Sequence, residues 1–187
     1  MPSRTKPSRR TRVLVGGAAL AALAAGAAGT VAASATDSPG ATAAAPATAR
    51  DGELTRHTRL TVDAAEKAAR AALEAAGKDG RQVSVAVVDR DGNTVVTLRG
   101  DGAGPQSYES AQRKAYTAVS WNAPTSELAG RLAQTPNLKD IPGTLFLAGG
   151  TPVTAKGAPV AAIGVAGAPS GDLDERYARA GAAVLGR

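Results

Sequence analysis

Few side chains in this sequence can do covalent or metal chemistry, and that scarcity sets the first limits. Of 187 residues none is cysteine, the one methionine is Met1, and the one histidine is His57. Without a thiol there is no disulfide, no thiol nucleophile and no thiolate metal site. A structural zinc site draws on Cys and His, and a single His does not supply one. A Ser-His-Asp triad would have to recruit His57, which lies in "ELTRHTRLT" without an acid at triad-like spacing. Three acids, Asp172, Asp174 and Glu175, cluster where a last helix should begin. Hard oxygen ligands of this kind hold ferrous or ferric iron. Acids in a first helical turn also complement the helix dipole, by about 0.3–1 kcal/mol each. Asp89, Asp91 and Asn93 imitate the D-x-D-x-N of a calcium loop. Gly92 comes one place early and no Glu follows, so turn chemistry accounts for them.

The glycines ahead of the acids deserve the same test. "GVAGAPSGDLDERYARAG" runs apolar strand, glycine turn, helix start, the order of a phosphate-binding loop. Its glycines fall at 164, 167 and 171, which is neither G-x-G-x-x-G nor G-x-x-x-x-G-K-[ST]. The acids occupy the turn where a phosphate would sit and would repel it.

The formal charge is +6. Five basic residues (Arg4, Lys6, Arg9, Arg10, Arg12) and no acid lie in residues 1–35, so the rest is close to neutral. The basic character belongs to the leader and does not point to nucleic acid. Residues 1–35 read as an export signal: a basic region, a weakly apolar Gly/Ala run from Val13, and Ala33-Ser34-Ala35 as a cleavage pattern. Arg9-Arg10 ahead of Val13-Leu14 resembles a twin-arginine signal. The expected product is secreted, with no stable membrane insertion after cleavage. Residues 36–53, rich in Ala, Pro, Thr, Ser and Gly, read as a flexible linker, and 54–187 as the folded domain.

The elements that must position these residues follow from periodicity. Thr61 caps a helix with Val62, Ala65, Ala69, Ala72, Leu73 and Ala76 at helical spacing, stopped by Gly77. "QVSVAVVD", the turn "DRDGN" and "TVVTLRG" form a hairpin. "SYESAQRKAYTAVSW" is a second helix with Ser107 as its expected cap, and Ala111, Ala115, Ala118 and Val119 as its stripe. Thr125 is expected to cap a short helix. Three strands are expected in "TLFLAGG", "PVTAK" and "APVAAIGVAG", before a last helix capped by Ser170. Short turns between consecutive strands imply an antiparallel sheet with helices on its faces, an α+β fold. Aromatics make up only 3% of the chain. So aromatic-poor a core buries less apolar area per residue, which favours additional burial between subunits.

Five segments together, "LTVDAAEKAARAALEAA", "VSVAVVDRDGNTV", "SAQRKAYTAVSWNAPTSELA", "IPGTLFLAGGTPV" and "AAIGVAGAPSGDLDERYARAG", resemble the GlcG/HbpS family, also seen as the C-terminal domain of PduO proteins. The resemblance spans 54–187 with its elements in the same order. It implies a profilin-like fold with a five-stranded antiparallel sheet, and homo-oligomers, octameric among the extracellular members. It also implies haem binding, iron uptake, a sensor histidine kinase ectodomain as a partner in a redox response, and in some relatives cobalamin binding.

Haem iron is usually held by His, Met, Cys or Tyr. Beyond Met1 the chain offers His57, Tyr108, Tyr116 and Tyr177. That inventory permits a weak or oxygen-ligated site rather than a six-coordinate cytochrome centre. His57 is either an exposed side chain or an iron ligand supplied from the N-terminal arm. The resemblance carries a haem-contacting threonine onto Thr117, beside Tyr116. Arg113 shares a helix face with Thr117; with Lys114 it either pairs with a haem propionate or lies on a solvated face. Trp121 and Phe146 either fill the core or wall a flat macrocycle. Three functions follow: a haem-binding accessory to redox and iron sensing, an enzyme for oxidative haem breakdown, and a corrinoid-binding module.

Overall fold

A computed structural model describes residues 46–186 of the chain. The expected export signal over 1–35 and the first part of the expected linker lie outside the described residues. Asp51–Glu53 form one exposed 3₁₀ turn. Helix α1 spans Val62–Lys78, β1 Ser84–Asp89, β2 Thr94–Arg99, α2 Pro105–Trp121 and α3 Thr125–Gly130. After two 3₁₀ turns come β3 Gly150–Ala155, β4 Ala158–Ala166 and α4 Gly171–Ala182. The strands form one antiparallel sheet in the order β2-β1-β4-β3. The fold is α+β, with α1 and α4 on one face of the sheet and α2 on the other.

The two central strands alternate cleanly. Val85, Val87, Ala161, Ile163 and Val165 are buried in one cluster with Ala65, Ala68, Ala69, Ala72 and Ala76 of α1 and Tyr177 and Ala178 of α4. Ala86, Val88, Ala162 and Ala166 face α2, against Ala111, Ala115, Ala118 and Val119. On that face a Cβ at Gly164 would fall 2.0 Å from the Ala111 carbonyl oxygen. Only glycine lets the helix backbone lie so near the strand.

The sheet has four strands among the described residues, not five. "TLFLAGG" runs irregularly into β3 because side chains take up its polar groups. Leu145 N–H donates to Thr117 Oγ1 at 2.8 Å, and Arg113 Nη2 donates to the Thr144 carbonyl at 2.8 Å. Gly149 N–H donates to Glu175 Oε2 at 3.4 Å. The segment joins the sheet at its end, where the Gly149 carbonyl accepts from Val165 N–H at 2.8 Å and Gly150 opens β3.

Thr61 and Ser170 cap α1 and α4 as expected, accepting from Ala64 N–H and Leu173 N–H. Two expected caps are corrected. The α2 cap position is Gly104, with Pro105 opening the helix. Ser107 is buried one turn in, 2.8 Å from the Ser84 hydroxyl on β1. Thr125 is the first residue of α3, and its hydroxyl accepts from Gly150 N–H at 2.7 Å. Both hydroxyls tie separate elements together. No helix among the described residues is long and apolar enough to cross a membrane.

Candidate functional site

The residues singled out on α2 divide between its inner and outer sides. Thr117 is fully buried. Its hydroxyl donates to the Arg113 carbonyl at 2.7 Å and accepts from Leu145 N–H at 2.8 Å. Contact with any bound group would cost it those bonds. Lys114 also points inward: its ammonium donates to Asp174 Oδ2 at 2.7 Å and to the Val165 carbonyl at 3.1 Å, with both side chains buried. The pair joins α2 to α4 past the start of β3. Burial pushes the Asp174 carboxyl up, against the pull of Lys114 and of the Ala168 and Gly167 N–H groups.

Arg113 and Tyr116 face outward. The Arg113 side chain is 42% exposed and lies 3.8 Å from Glu109 as well as on the Thr144 carbonyl. The Tyr116 ring, also partly exposed, lies across two turns. A Cβ at Gly92 would be 2.8 Å from Cε2, and one at Gly143 would be 3.6 Å from Cε1. Both glycines have positive φ, 86° and 79°, so the turns that support the ring depend on glycine twice over.

The first of those turns also meets the arm ahead of α1. Asp89 Oδ1 accepts from the N–H groups of Asp91 and Asn93, both at 2.9 Å, so this loop is a side-chain-closed turn. Burial pushes the Asp89 carboxyl up, but hydrogen bonds from Asn93 and Asp91 and the Arg59 charge together hold it below its ordinary value. His57, exposed, places Nδ1 3.7 Å from Asp91 Oδ1 and Nε2 3.2 Å from the Thr55 hydroxyl. Thus His57, the β1–β2 turn and Tyr116 share one end of the molecule.

The other expected site residues are not part of that end. Trp121 and Phe146 meet edge to face, with centroids 5.2 Å apart and planes at 66°. Phe146 is buried with Ala123 and Leu128, and Trp121 packs on them. Asp172 is exposed, Asp174 is taken by Lys114, and Glu175 accepts from Ser126 N–H and hydroxyl at 2.9 and 2.7 Å and pairs with Arg179. No group of three His, Cys, Asp or Glu side chains that could hold a metal ion occurs among the described residues. Asp174 and Glu175 anchor α4 through separate partners, and Asp172 stands exposed, so the three acids do not converge on one ligand.

A cleft of about 400 Å³ lies between Lys114, Leu147 and the start of α4, and another of about 380 Å³ beside edge strand β3. His57, Arg113 and Tyr116 line neither. Chemically, the His57 end carries an imidazole near a carboxylate, the Tyr116 phenol ring and, one helical turn from it, the Arg113 guanidinium.

The buried pair was missed in the sequence, although Lys114 sits on the apolar stripe of Ala111, Ala115 and Ala118. A lysine there demands a buried acid, and that signal could have found it. Nothing local marks Arg59 as a partner of Asp89 and Asp91.

A family model described as "Haem degrading protein HbpS-like" matches residues 60–183, which include all of α2 and the β1–β2 turn. The chain belongs to the HbpS-like family. A search of curated proteins returned no match. Among solved structures, a double mutant of Streptomyces reticuli HbpS is 84% identical, covering 78% of this chain and 99% of its own, with a TM-score of 0.76. The Klebsiella pneumoniae protein ORFY is 25% identical, covering 71% of this chain and 94% of its own, at 0.67. A PduOC:haem complex is 27% identical, covering 67% of this chain and 94% of its own, at 0.62. Membership in the HbpS-like family therefore rests on a model spanning most of the folded part.

Proposed function

We propose that this chain is a secreted haem-binding protein of the HbpS-like family that serves redox and iron sensing through a membrane sensor histidine kinase and degrades the haem it binds. The observation that carries the reading is the family match over residues 60–183. The haem complex of a relative 27% identical in sequence agrees with it. The resemblance adds homo-oligomers, iron binding and a profilin-like fold to the proposal, and the leader adds export.

The side chains of His57, Arg113 and Tyr116 are of types that suit a solvent-exposed haem. His57 carries a ring nitrogen for the iron, with the Asp91 carboxylate 3.7 Å from its other nitrogen, near it but beyond hydrogen-bond reach. Arg113 keeps a partly exposed guanidinium able to neutralise a propionate. Tyr116 offers a ring held between two glycine turns. Bound haem would supply the iron and the oxidisable macrocycle. The protein residues supply a donor nitrogen, a cation and an aromatic ring. Thr117 supports this face from below, by holding Leu145 to α2.

Titration with haemin, followed at the Soret band, tests the proposal. A Soret shift saturating near one haemin per chain is the expected result; no shift at stoichiometric haemin overturns it. Bleaching with reductant or peroxide, with release of iron, is expected of the degrading activity. Tighter binding of aquocobalamin than of haemin would replace the reading with a corrinoid-binding module.

A further inference from the structure

The arm ahead of α1 has no regular secondary structure between Leu54 and Thr61, yet it is tied down at one point. His57 and Arg59 are two residues apart and both reach Asp91. Leu60, next in the chain, packs against the cluster under α1 and α4. Alternate residues of an extended chain point to opposite sides, so burying Leu60 turns His57 and Arg59 together toward the β1–β2 turn. Arg59 spans both acids of that turn: Nη2 hydrogen-bonds Asp91 Oδ2 and Nη1 lies 3.5 Å from Asp89 Oδ2. Asp89 is in turn fixed by the N–H groups of Asp91 and Asn93. The turn cannot drift from Tyr116, whose ring occupies the space beside Gly92.

We infer that Arg59 is a positioning residue for His57: by bridging Asp89 and Asp91 it pins the arm to the β1–β2 turn and presents the imidazole at the end of the molecule that carries Tyr116. This rests on the haem reading above. His57 by itself is held only by Thr55, its arm neighbour, and by Asp91 at a distance too long for a hydrogen bond. The guanidinium fork meets two carboxylates at once, which a lysine ammonium does less well.

The test compares the full chain with Arg59→Gln, Arg59→Lys, His57→Ala and the Arg59→Gln/His57→Ala pair. Each is read by haemin affinity, by Soret position and spin state, and by amide exchange of residues 54–60 without haemin. Arg59→Gln is expected to weaken haemin binding about tenfold, the lower end for an outer partner of a metal-ligating histidine. It should move the spectrum toward that of His57→Ala, and the pair should be no weaker than His57→Ala alone. Arg59→Lys should recover part of both. Arm exchange should quicken in Arg59→Gln and stay unchanged in His57→Ala. A wild-type affinity and spectrum in Arg59→Gln would overturn the inference, as would a wild-type spectrum in His57→Ala. If the unaltered protein binds no haemin, the haem reading fails by itself. Arm exchange then decides the clamp, and unchanged exchange in Arg59→Gln overturns it.

Discussion

The two faces of the sheet are packed by different means. Under α1 and α4, Val85, Val87, Ile163 and Val165 fill the space with branched side chains. Under α2 the same strands offer mostly small residues, Ala86, Ala162, Gly164 and Ala166 together with Val88, and the helix backbone itself fills much of the space. The first face gains burial from side-chain volume. The second gives up volume and gains closeness, which leaves α2 little freedom to slide or tilt. That difference matters because Arg113 and Tyr116 project from the far side of α2. The rigid, alanine-lined face positions the outer end; the valine face supplies most of the core.

Among the described residues the Lys114–Asp174 pair is the one buried ion pair that joins the helices of the two faces, and breaking it should have the largest effect. Lys114→Met is expected to cost about 4 kcal/mol in urea unfolding, because Asp174 is left charged and unpaired. Adding Asp174→Leu should return at least half of that loss; a double variant no more stable than Lys114→Met would show that the pair is not the cause. Gly164→Ala, on the α2 face, should cost about 3 kcal/mol, the upper part of the range for overpacking. A loss below about 1 kcal/mol would mean that α2 can retreat, and that the contrast between the faces is not one of rigidity. Ile163→Val, one residue away on the other face, should cost only about 1 kcal/mol. A larger loss than at Gly164 would invert the comparison.

The smallest effect is on pH. Asp89 is held below its ordinary value, so its contribution is present above about pH 4, the unfolded carboxyl value, and is lost as pH falls through the folded value. Asp174 has the opposite sign: its carboxyl is raised, so its contribution is full below the unfolded value and is lost as pH rises through the folded one. Asp89→Asn should therefore lower the urea midpoint at pH 6 and lose its effect toward pH 3, whereas a gap that widens in acid would contradict the assignment.

Much of the fold was legible where one residue type had one local use. Thr61 and Ser170 precede apolar or acidic helix starts and cap them. Asp89 to Asn93 closes its own turn through hydrogen bonds that span four residues. Ser107 and Thr125 have the same composition signal, yet their hydroxyls bind partners 23 and 25 residues away. The fifth expected strand failed for the same reason. "TLFLAGG" has strand-like composition, but Thr117, Arg113 and Glu175 claim its backbone groups from elsewhere in the chain.

The sequence by itself determined the α+β order, the helix stripes and hairpin, and the family, because these depend on spacing along the chain. It also limited the site chemistry, since one His and no Cys can be counted without any structure. Only the tertiary structure decided that Thr117 and Lys114 turn inward, that Asp174 and Glu175 serve as anchors, and that His57, Arg59 and Asp91 meet. Those outcomes depend on which polar groups find partners across the fold, buried for Thr117 and Lys114 and exposed for Arg59, and these partners lie 28 to 60 residues away.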